Sequence, residues 1–281
     1  MFYAQQIWEE TTKKLQKVYD RREAENITYQ LLADLFGILK TDILLNEQKK
    51  LDQDLLKSSV TKLLNSQPVQ YVTGSTYFYG RQFQLEPGVL IPRPETEELV
   101  DLIIKGVSKE EPRILEVGVG SGCIAVTLSL EVGGKIYGTD VSDQALQMAE
   151  VNNHHHSGSV TLLAHDILKE ELPVSELDFL VSNPPYIPIS EKKKMHANVL
   201  NFEPEIALFV PDEDPLLFYR RIAIEGRRVL NDHGKLYFEI HENLGDEVTR
   251  LLSESGYTSV MVIQDMQGKD RMVVATNSTS K

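Results

Sequence analysis

From Arg113 onward the hydrophobic pattern alternates between strand-like and helix-like segments, and this constrains the fold more than any other feature. Strands are predicted at 113–117, 135–140, 159–163, 177–182, 234–240, 257–263 and 270–275, and helices at 122–131, 143–154, 213–230 and 243–255. Such alternation predicts an α/β fold, a mostly parallel sheet with helices on both faces. Only a short connection, Asp265 to Asp270, joins the last two strands, so we expect these two to pair antiparallel.

The sequence before this region has a different character. Residues 1–70 carry apolar residues at helical spacing, with breaks at Gly37 and Asn46, which predicts a small helical N-terminal domain. Residues 71–92 alternate aromatic and β-branched positions around Pro87-Gly88, which predicts a β-hairpin linker. The division expected is therefore 1–70, 71–92 and 93–281, with the first part a candidate for substrate recognition.

Composition narrows the class of protein. The 281 residues carry 42 acidic and 29 basic side chains, a formal net charge of −13, whereas proteins that clamp duplex DNA usually present a basic stripe. We therefore expect no direct nucleic-acid partner and favour a protein partner with a basic surface. No apolar run has the length of a membrane span, and the lone Cys123 permits no internal disulfide, so we expect a cytoplasmic protein without membrane association.

A glycine turn follows the first strand of the alternating region. Ile114 to Val117 leads into Gly118-Val119-Gly120-Ser121-Gly122 and then into a predicted helix. Glycines allow a sharp turn and the close approach of a ligand to the backbone. A dinucleotide fingerprint would require glycine at Ile124 or Ala125, so a pyrophosphate-bearing cofactor is disfavoured.

Two further strand ends add candidate cofactor contacts. Asp140 ends the second strand about 20 residues beyond the glycine turn, where a carboxylate can accept hydrogen bonds from both hydroxyls of a ribose. A helix-capping role is the simpler alternative, although Ser142 or Asp143 could cap instead. Asp166 and Ile167 follow the third strand, where they could contact an adenine ring. Together these residues fit S-adenosylmethionine.

The fourth strand ends in Asn183-Pro184-Pro185-Tyr186. Two prolines lack N–H groups and fix φ, so this backbone cannot continue a sheet or enter a helix, and its carbonyls are left to accept other hydrogen bonds. Asn183 adds an amide and Tyr186 an aromatic face. This set suits a planar nitrogen with two N–H bonds, either an amide or an exocyclic amine. A rigid exit from the strand is the structural alternative.

The same tetrapeptide and glycine turn resemble amino-methyltransferases with a Rossmann-like fold, and other motifs narrow the resemblance to the HemK/PrmC family. These motifs are Pro68 to Gly74, Phe78-Tyr79-Gly80, Val89 to Glu97, Phe202-Glu203-Pro204 and Ala207-Leu208-Phe209. The resemblance covers nearly the whole chain. Two segments depart from the family pattern: Val210 to Pro215 replaces a glycine-rich stretch, and Glu239-Ile240-His241 replaces Glu-Ile-Gly.

The resemblance implies a function. Members of the family transfer a methyl group from S-adenosylmethionine to the side-chain amide (N5) of the glutamine in the Gly-Gly-Gln motif of class I peptide chain release factors. We therefore predict catalytic roles for Asn183, Pro184, Pro185 and Tyr186. The predicted cofactor-binding residues are Gly118, Val119, Gly120, Ser121, Gly122, Asp140, Ile167 and Asn183.

Other assignments remain open at the level of the sequence. A nucleic-acid methyltransferase could use the tetrapeptide to hold the amine of a flipped base, and a non-catalytic assembly factor could keep only the glycine turn. Glu203 is either a carboxylate near the reaction or an anchor for its loop. We expect no metal, because the adjacent His154-His155-His156 would splay around a solvated helix end.

Overall fold

The computed structural model describes residues 1–278 and divides them into two compact units. The first, here called the helical unit, contains Met1–Ser75, Leu85–Pro87 and Met195–Glu203. The second, here called the sheet unit, contains Thr76–Gln84, Gly88–Lys194 and Pro204 onward. Each unit is thus made of three separate segments of the chain, whereas the division predicted from the sequence has three consecutive parts, 1–70, 71–92 and 93–281.

The elements alternate along the chain as follows. The helices are α1 Ala4–Leu15, α2 Arg21–Phe36, α3 Lys40–Leu44, α4 Gln53–Leu64, α5 Val69–Thr73, α6 Pro94–Gly106, α7 Cys123–Glu131, α8 Asp143–His155, α9 Ala197–Phe202, α10 Leu217–Val229 and α11 Gly245–Glu254. The strands are β1 Phe2–Tyr3, β2 Gln48–Lys49, β3 Ser75–Phe78, β4 Arg81–Gln84, β5 Arg113–Val117, β6 Lys135–Asp140, β7 Val160–Ala164, β8 Leu177–Ser182, β9 Ile187–Pro188, β10 Phe209–Val210, β11 Leu230–Glu239, β12 Tyr257–Gln264 and β13 Asp270–Asn277.

The helical unit confirms the predicted helices and both predicted breaks. Gly37 ends α2 in the left-handed conformation at φ 63°, and Asn46 has φ 51°. Asp20 caps α2 by accepting a hydrogen bond from the Glu23 N–H, and Asp52 caps α4 in the same way. Buried apolar side chains of α1, α2, α4 and α5 form the core of this unit.

The predicted hairpin forms, but its turn lies elsewhere. Strands β3 and β4 are joined by Tyr79 and Gly80, whose φ angles of 49° and 73° suit a tight two-residue hairpin loop. Pro87 and Gly88 do form a turn, but it is not the turn of the hairpin, because β4 has already ended at Gln84. Residues 71–73 belong to helix α5 and not to the hairpin.

The sheet unit contains the expected seven-stranded sheet, in the order β12-β13-β11-β8-β5-β6-β7. Strand β13 pairs antiparallel with both β11 and β12, and the remaining pairs are parallel, as the sequence predicted. Strand β11 begins at Leu230, with a register shift before Lys235. Helix α10 begins at Leu217 and not at 213, because Pro215 disfavours helical conformation in the residue before it.

Both faces of the sheet are buried. Along β5, Ile114 packs into one apolar cluster and Leu115 into the opposite one, and along β8 Phe179 and Leu180 divide in the same way. Helices α6 and α7 contribute to the first cluster, whereas α10 and α11 contribute to the second. A parallel sheet covered on both sides explains why β5 and β8 carry apolar residues that point to both faces.

The strand order reverses at β5 and β8, since β6 and β7 extend to one side and β8 and β11 to the other. In open α/β sheets, the crevice beyond the carboxyl ends of strands at such a reversal is where ligands bind. The glycine turn follows β5, Asp140 ends β6 and the tetrapeptide follows β8. In residues 1–278, no helix has both the length and the apolar character needed to cross a membrane.

Candidate active site

A pocket opens at the carboxyl ends of β5, β6, β7 and β8. Its walls include strand-end residues, the loop before α6 and part of the segment before β10. The lining residues among those predicted from the sequence are Gly118, Gly120, Asp140, Asp166, Ile167, Asn183, Pro184 and Pro185. The fold therefore brings the glycine turn, the acidic strand end and most of the tetrapeptide to one cavity.

Gly118 and Gly120 form the floor of the turn. Their φ angles are 81° and 54°, in the left-handed region that favours glycine, and no heavy atom of the described residues lies within 4 Å of where a Cβ would stand. The Gly118 and Val119 N–H groups both donate to the Thr139 carbonyl, at 2.8 and 2.9 Å. The turn is thus fixed to β6, while the space above two of its glycines stays open for a ligand.

The other three residues of the turn lie outside the pocket lining that the structure describes. Val119 is a buried core residue, and Ser121 is buried with its carbonyl accepting from Asn152 Nδ2 at 2.9 Å. A Cβ on Gly122 would stand 3.1 Å from the Ala149 Cα of α8. The cofactor contact predicted for these three residues stays a prediction, and the close approach of Ala149 explains the glycine at 122.

Glu116 is a buried carboxyl beneath the turn that the sequence analysis did not select. Its Oε2 accepts from the Ala125 N–H at 2.8 Å, in the first turn of α7. Gly122, the N-cap residue of α7, has no side chain, so Glu116 caps the helix from the neighbouring strand. Burial raises the pKa of Glu116 well above its ordinary value, and the charge of nearby Asp140 adds to this rise.

Asp140 supports the turn and also faces the pocket. Its Oδ2 accepts from the Gly120 N–H at 3.0 Å, and its Oδ1 accepts from the Ser142 N–H at 2.9 Å. Each carboxylate oxygen has a further lone pair, so both can still accept from a ligand hydroxyl. Burial raises the pKa of Asp140, whereas the backbone hydrogen bonds lower it. Ser142 caps α8 through Oγ, accepting from the Ala145 N–H, which leaves Asp140 available.

Asp166 and Ile167 occupy the wall after β7. Asp166 Oδ1 accepts from the Leu168 N–H at 3.0 Å, and Lys169 Nζ lies 2.8 Å from Oδ2. The hydrogen bond with Lys169 lowers the pKa of Asp166, so this carboxylate is already engaged within its own turn. Ile167 is buried between the pocket and the core beneath it, where it offers an apolar surface.

The tetrapeptide divides between the pocket and the core. Asn183, Pro184 and Pro185 line the cavity. Tyr186 lies outside the described lining, since its hydroxyl donates to Glu239 Oε1 at 3.1 Å and its ring packs against the core. The structure thus places the Tyr186 side chain against the core, and its predicted catalytic role stays a prediction. Its buried hydroxyl requires a partner, and Glu239 provides one.

Thr96 and Glu239 complete this region, and the sequence analysis gave neither a role of this kind. Thr96 Oγ1 donates to Glu239 Oε2 at 2.7 Å, and Asn183 Nδ2 lies 3.4 Å from Thr96 Oγ1. Thr96 entered the sequence analysis only as part of the motif Val89 to Glu97. Glu239 was noted only as part of a family motif, although a glutamate at the end of an apolar strand is a signal for a buried functional carboxyl.

Asn152 is another residue that the sequence analysis missed. It is fully buried, its Nδ2 donates to the carbonyls of Ser121 and Gln84, and its Oδ1 accepts from the Gln84 N–H at 2.7 Å. This side chain connects the glycine turn to the hairpin strand β4. An asparagine on the apolar face of a predicted helix was the available signal, because a buried amide must find partners.

The three adjacent histidines and Glu203 are the remaining residues that the sequence analysis discussed. His154 and His155 are exposed, but His156 packs its ring 4.8 Å from that of Phe83, and its Nε2 lies 3.0 Å from the Gln82 carbonyl. The helix end is thus only partly solvated. No group of three or more potential ligands for a metal occurs in residues 1–278. Glu203 is a buried residue of the helical unit and follows the end of α9.

The pocket fits S-adenosylmethionine. Open space above Gly118 and Gly120 admits a ligand against the backbone, Asp140 offers acceptors for ribose hydroxyls, and Ile167 offers an apolar wall for a ring. The turn lacks the third glycine of a pyrophosphate cradle. A seven-stranded sheet with an antiparallel final strand and this pocket defines the class, an S-adenosylmethionine-dependent methyltransferase with a Rossmann-like fold.

Comparisons with known proteins agree. A family model described as Methyltransferase small domain matches residues 95–202, and one described as PrmC N-terminal domain matches residues 6–74. The crystal structure of a methyltransferase from Pyrococcus furiosus superimposes with a TM-score of 0.55 at 16% identity, covering 79% of this chain and 99% of that one. This likeness concerns the fold alone.

Relatives of higher identity identify the family. A protein of Bacteroides thetaiotaomicron named Release factor glutamine methyltransferase is 42% identical over 268 residues, covering 94% of this chain and 96% of its own. A protein of Flavobacterium psychrophilum with the same name is 40% identical, covering 92% of this chain and 94% of its own. The chain belongs to the HemK/PrmC family, which confirms the resemblance drawn from its linker motifs.

Proposed function

We propose that this chain transfers a methyl group from S-adenosylmethionine to the N5 amide nitrogen of the glutamine in the Gly-Gly-Gln motif of class I peptide chain release factors. The names of the relatives from Bacteroides thetaiotaomicron and Flavobacterium psychrophilum support a release factor as substrate. The observation that carries the proposal is one pocket lined by Gly118, Gly120, Asp140 and Asn183. It supports a cofactor site and an amide site next to each other.

The cofactor site uses the side of the pocket formed by β5, β6 and β7. Gly118 and Gly120 leave room for the ligand against the backbone, Asp140 accepts hydrogen bonds from its hydroxyls, and Ile167 packs against its ring. When bound, S-adenosylmethionine supplies an electrophilic methyl group on a sulfonium. The protein's own residues then have to place a nitrogen in line with it.

An amide nitrogen is a poor nucleophile, because its lone pair is delocalised into the carbonyl. In our proposal, Asn183 Oδ1 and the Pro184 carbonyl accept the two N–H bonds of the substrate amide. Holding the reactants in this geometry can supply about 7–11 kcal/mol of barrier reduction. The same two acceptors stabilise positive charge as it develops on nitrogen, so their interaction strengthens in the transition state.

The surrounding residues keep this arrangement rigid. Pro184 and Pro185 fix φ and lack N–H groups, so the backbone after Asn183 is rigid and does not continue the hydrogen-bond ladder of β8. Tyr186 anchors the end of the tetrapeptide through its hydrogen bond to Glu239. The proton can leave the nitrogen after attack, and this step does not require a strong general base in the pocket.

The charge of the chain suits the proposed partner. With a formal net charge of −13, the protein is complementary to a basic factor, and direct nucleic-acid binding is not part of the proposal. We assign substrate recognition to the helical unit as a further part of the proposal. The match of residues 6–74 to the PrmC N-terminal domain supports this assignment.

Methyl incorporation from a labelled donor tests the function. The purified chain is incubated with a class I release factor, with the same factor carrying a substituted Gly-Gly-Gln glutamine, and with a panel of DNA and RNA. We expect label on the intact factor alone and a one-methyl mass increase at that glutamine. Label on the substituted factor to the same extent, or on a nucleic acid only, would overturn the proposal.

A further inference from the structure

The carboxyl group of Glu239 connects two separate parts of the active site. The residue ends β11 and is 1% exposed. Its Oε1 accepts from the Tyr186 hydroxyl at 3.1 Å, and its Oε2 accepts from Thr96 Oγ1 at 2.7 Å. One buried side chain therefore fixes both the first turn of α6 and the end of the tetrapeptide.

The chemistry of this carboxyl group sets the direction of the hydrogen bonds around it. An ionised carboxylate can only accept, so the single hydroxyl hydrogen of Thr96 is committed to Glu239. The Thr96 oxygen then has only lone pairs to offer, and the group facing it at 3.4 Å is Asn183 Nδ2, a donor. With the amino end of the Asn183 amide turned to Thr96, its carbonyl end is left for the ligand.

We propose that Glu239 and Thr96 are positioning residues that orient the Asn183 amide so that its oxygen, and not its amino group, meets the substrate amide. This inference rests on the proposed function, because it concerns the same methyl transfer. A flipped Asn183 would set its own N–H donors against the N–H donors of the substrate. The two side chains thereby act on the reaction without touching the substrate.

The hydrogen-bond direction depends on the ionisation of Glu239. Burial raises the pKa of Glu239, whereas Thr96, Tyr186 and the positive charge of Arg271 lower it. The ionisable groups that face this carboxyl from the surrounding elements are Glu95 of α6, Cys123 of α7, Tyr186, Tyr219 of α10 and Arg271 of β13. Protonation of Glu239 would free the Thr96 hydroxyl to donate elsewhere, so methyl transfer should decline as the pH falls through this pKa.

Thr96→Val tests the proposal, since valine has the shape of threonine without its hydroxyl. We expect kcat to fall about tenfold, because one hydrogen bond is lost. The KM for the release factor and the affinity for the cofactor should stay unchanged within about twofold. Thr96→Ser, which restores the hydroxyl, should recover kcat to within about threefold of the parent. A purely structural role for Thr96 would not require the hydroxyl in this way.

A double-mutant cycle shows whether Thr96 acts through Asn183. In an Asn183→Ala background there is no amide to orient, so adding Thr96→Val should slow single-turnover transfer by less than about twofold. A full tenfold loss in both backgrounds would contradict the proposal. So would a Thr96→Val enzyme with the kcat of the parent.

Glu239→Gln provides a second variant and a different measurement. Glutamine can donate to Thr96 as well as accept, so we expect a lower kcat at neutral pH and the loss of the acid limb in the pH profile. Unchanged kcat and an unchanged acid limb would also overturn the proposal. These failures differ from failure of the proposed function, in which the parent itself would not methylate the release factor glutamine.

Discussion

The two sides of the pocket differ in how the protein shapes them. The cofactor half, Gly118, Gly120 and Asp140, is built from backbone geometry. Its glycines leave space, and the Asp140 side chain accepts from the N–H groups of Gly120 in the glycine turn and of Ser142 at the start of α8. The substrate half, Asn183 and Pro184 with Thr96 and Glu239 behind them, is built from side chains on separate elements. The first half needs room for a ligand, whereas the second needs a fixed direction of hydrogen bonding.

This difference implies that the halves control different steps. Changes in the cofactor half should alter affinity for S-adenosylmethionine, and changes in the substrate half should alter the rate of transfer once both ligands are bound. Three predictions test that separation, beginning with the largest expected effect, and a fourth concerns the stability of the carboxyl beneath the glycine turn.

Asn183→Ala should produce the largest change in rate. Removing the proposed acceptor for the substrate amide should lower single-turnover transfer by about 10²- to 10³-fold, the usual effect of losing one preorganised group that stabilises transition-state charge. Cofactor affinity, measured by calorimetry, should change less than about threefold. Transfer at the rate of the parent would show that Asn183 does not have this role.

Gly120→Ala should chiefly weaken cofactor binding. Its φ of 54° makes a side chain costly, and the new Cβ would enter space that we assign to the ligand. We expect the Kd to rise at least about tenfold, in line with the 1–3 kcal/mol typical of overpacking. Gly80→Ala is the matched control, because Gly80 also has a positive φ and open space but lies in the hairpin turn. Equal losses of cofactor affinity in both variants would show that backbone strain alone causes the weaker binding.

Asp140→Asn should weaken cofactor binding by about tenfold through loss of a charged acceptor, with single-turnover transfer at saturating cofactor unchanged. Asp20→Ala is the control for loss of a helix-capping carboxylate, because Asp20 caps α2 of the helical unit and is not among the residues described as lining the pocket. It should lower the melting temperature and leave the Kd unchanged within about twofold. A cofactor Kd equal to that of the parent in Asp140→Asn would show that Asp140 does not contribute to cofactor binding.

Glu116→Gln should have the smallest effect, on stability. Burial raises the pKa of Glu116, so its ionisation opposes folding. Its contribution to stability is complete at a pH below the pKa that Glu116 has in the unfolded chain, and it is lost as the pH rises through the pKa that Glu116 has in the folded chain. Glutamine keeps an acceptor for Ala125 without the charge. We expect Glu116→Gln to be more stable by about 0.5–2 kcal/mol at neutral pH, an advantage that shrinks in acid. Urea unfolding at several pH values measures this.

Glu225→Gln is the control of opposite sign. Burial alone would raise the pKa of Glu225, but Arg228, Arg221 and the Leu172 N–H hold it below its ordinary value. Its ionised form therefore contributes stability above the unfolded pKa, and that contribution is lost as the pH falls through the folded pKa. Glu225→Gln should thus be less stable at neutral pH. If both glutamine variants changed stability in the same direction, the contrast between the two buried carboxyls would be wrong.

The cofactor half could be predicted from the sequence because its parts follow consecutive strands. A glycine turn after β5 and an aspartate at the end of β6 reach the same edge in any parallel sheet of this type. Val119, Ser121 and Gly122 belong to the same motif, but they are not among the residues described as lining the pocket. Their positions depend on packing against core residues such as Ala149, which a motif does not reveal.

The substrate half could be predicted only in part. Asn183 and its prolines form a local motif, but Thr96 and Glu239 are 143 residues apart and meet only because α6 packs against β11. The hairpin shows a related limit. Proline followed by glycine at 87 and 88 favours a turn, yet the turn of the hairpin contains Tyr79 at φ 49°. An aromatic residue seldom adopts this conformation, so the sequence does not signal it.

The separation of the two halves is tested most directly by the double variant Asp140→Asn with Asn183→Ala. We measure its cofactor Kd and its single-turnover rate of methyl transfer to a release factor at saturating cofactor. We expect the double variant to have the cofactor Kd of Asp140→Asn and the transfer rate of Asn183→Ala, because neither substitution should change the effect of the other. Two results would contradict this separation. One is that Asn183→Ala alone weakens cofactor binding as much as Asp140→Asn does, and the other is that Asp140→Asn alone slows transfer as much as Asn183→Ala does.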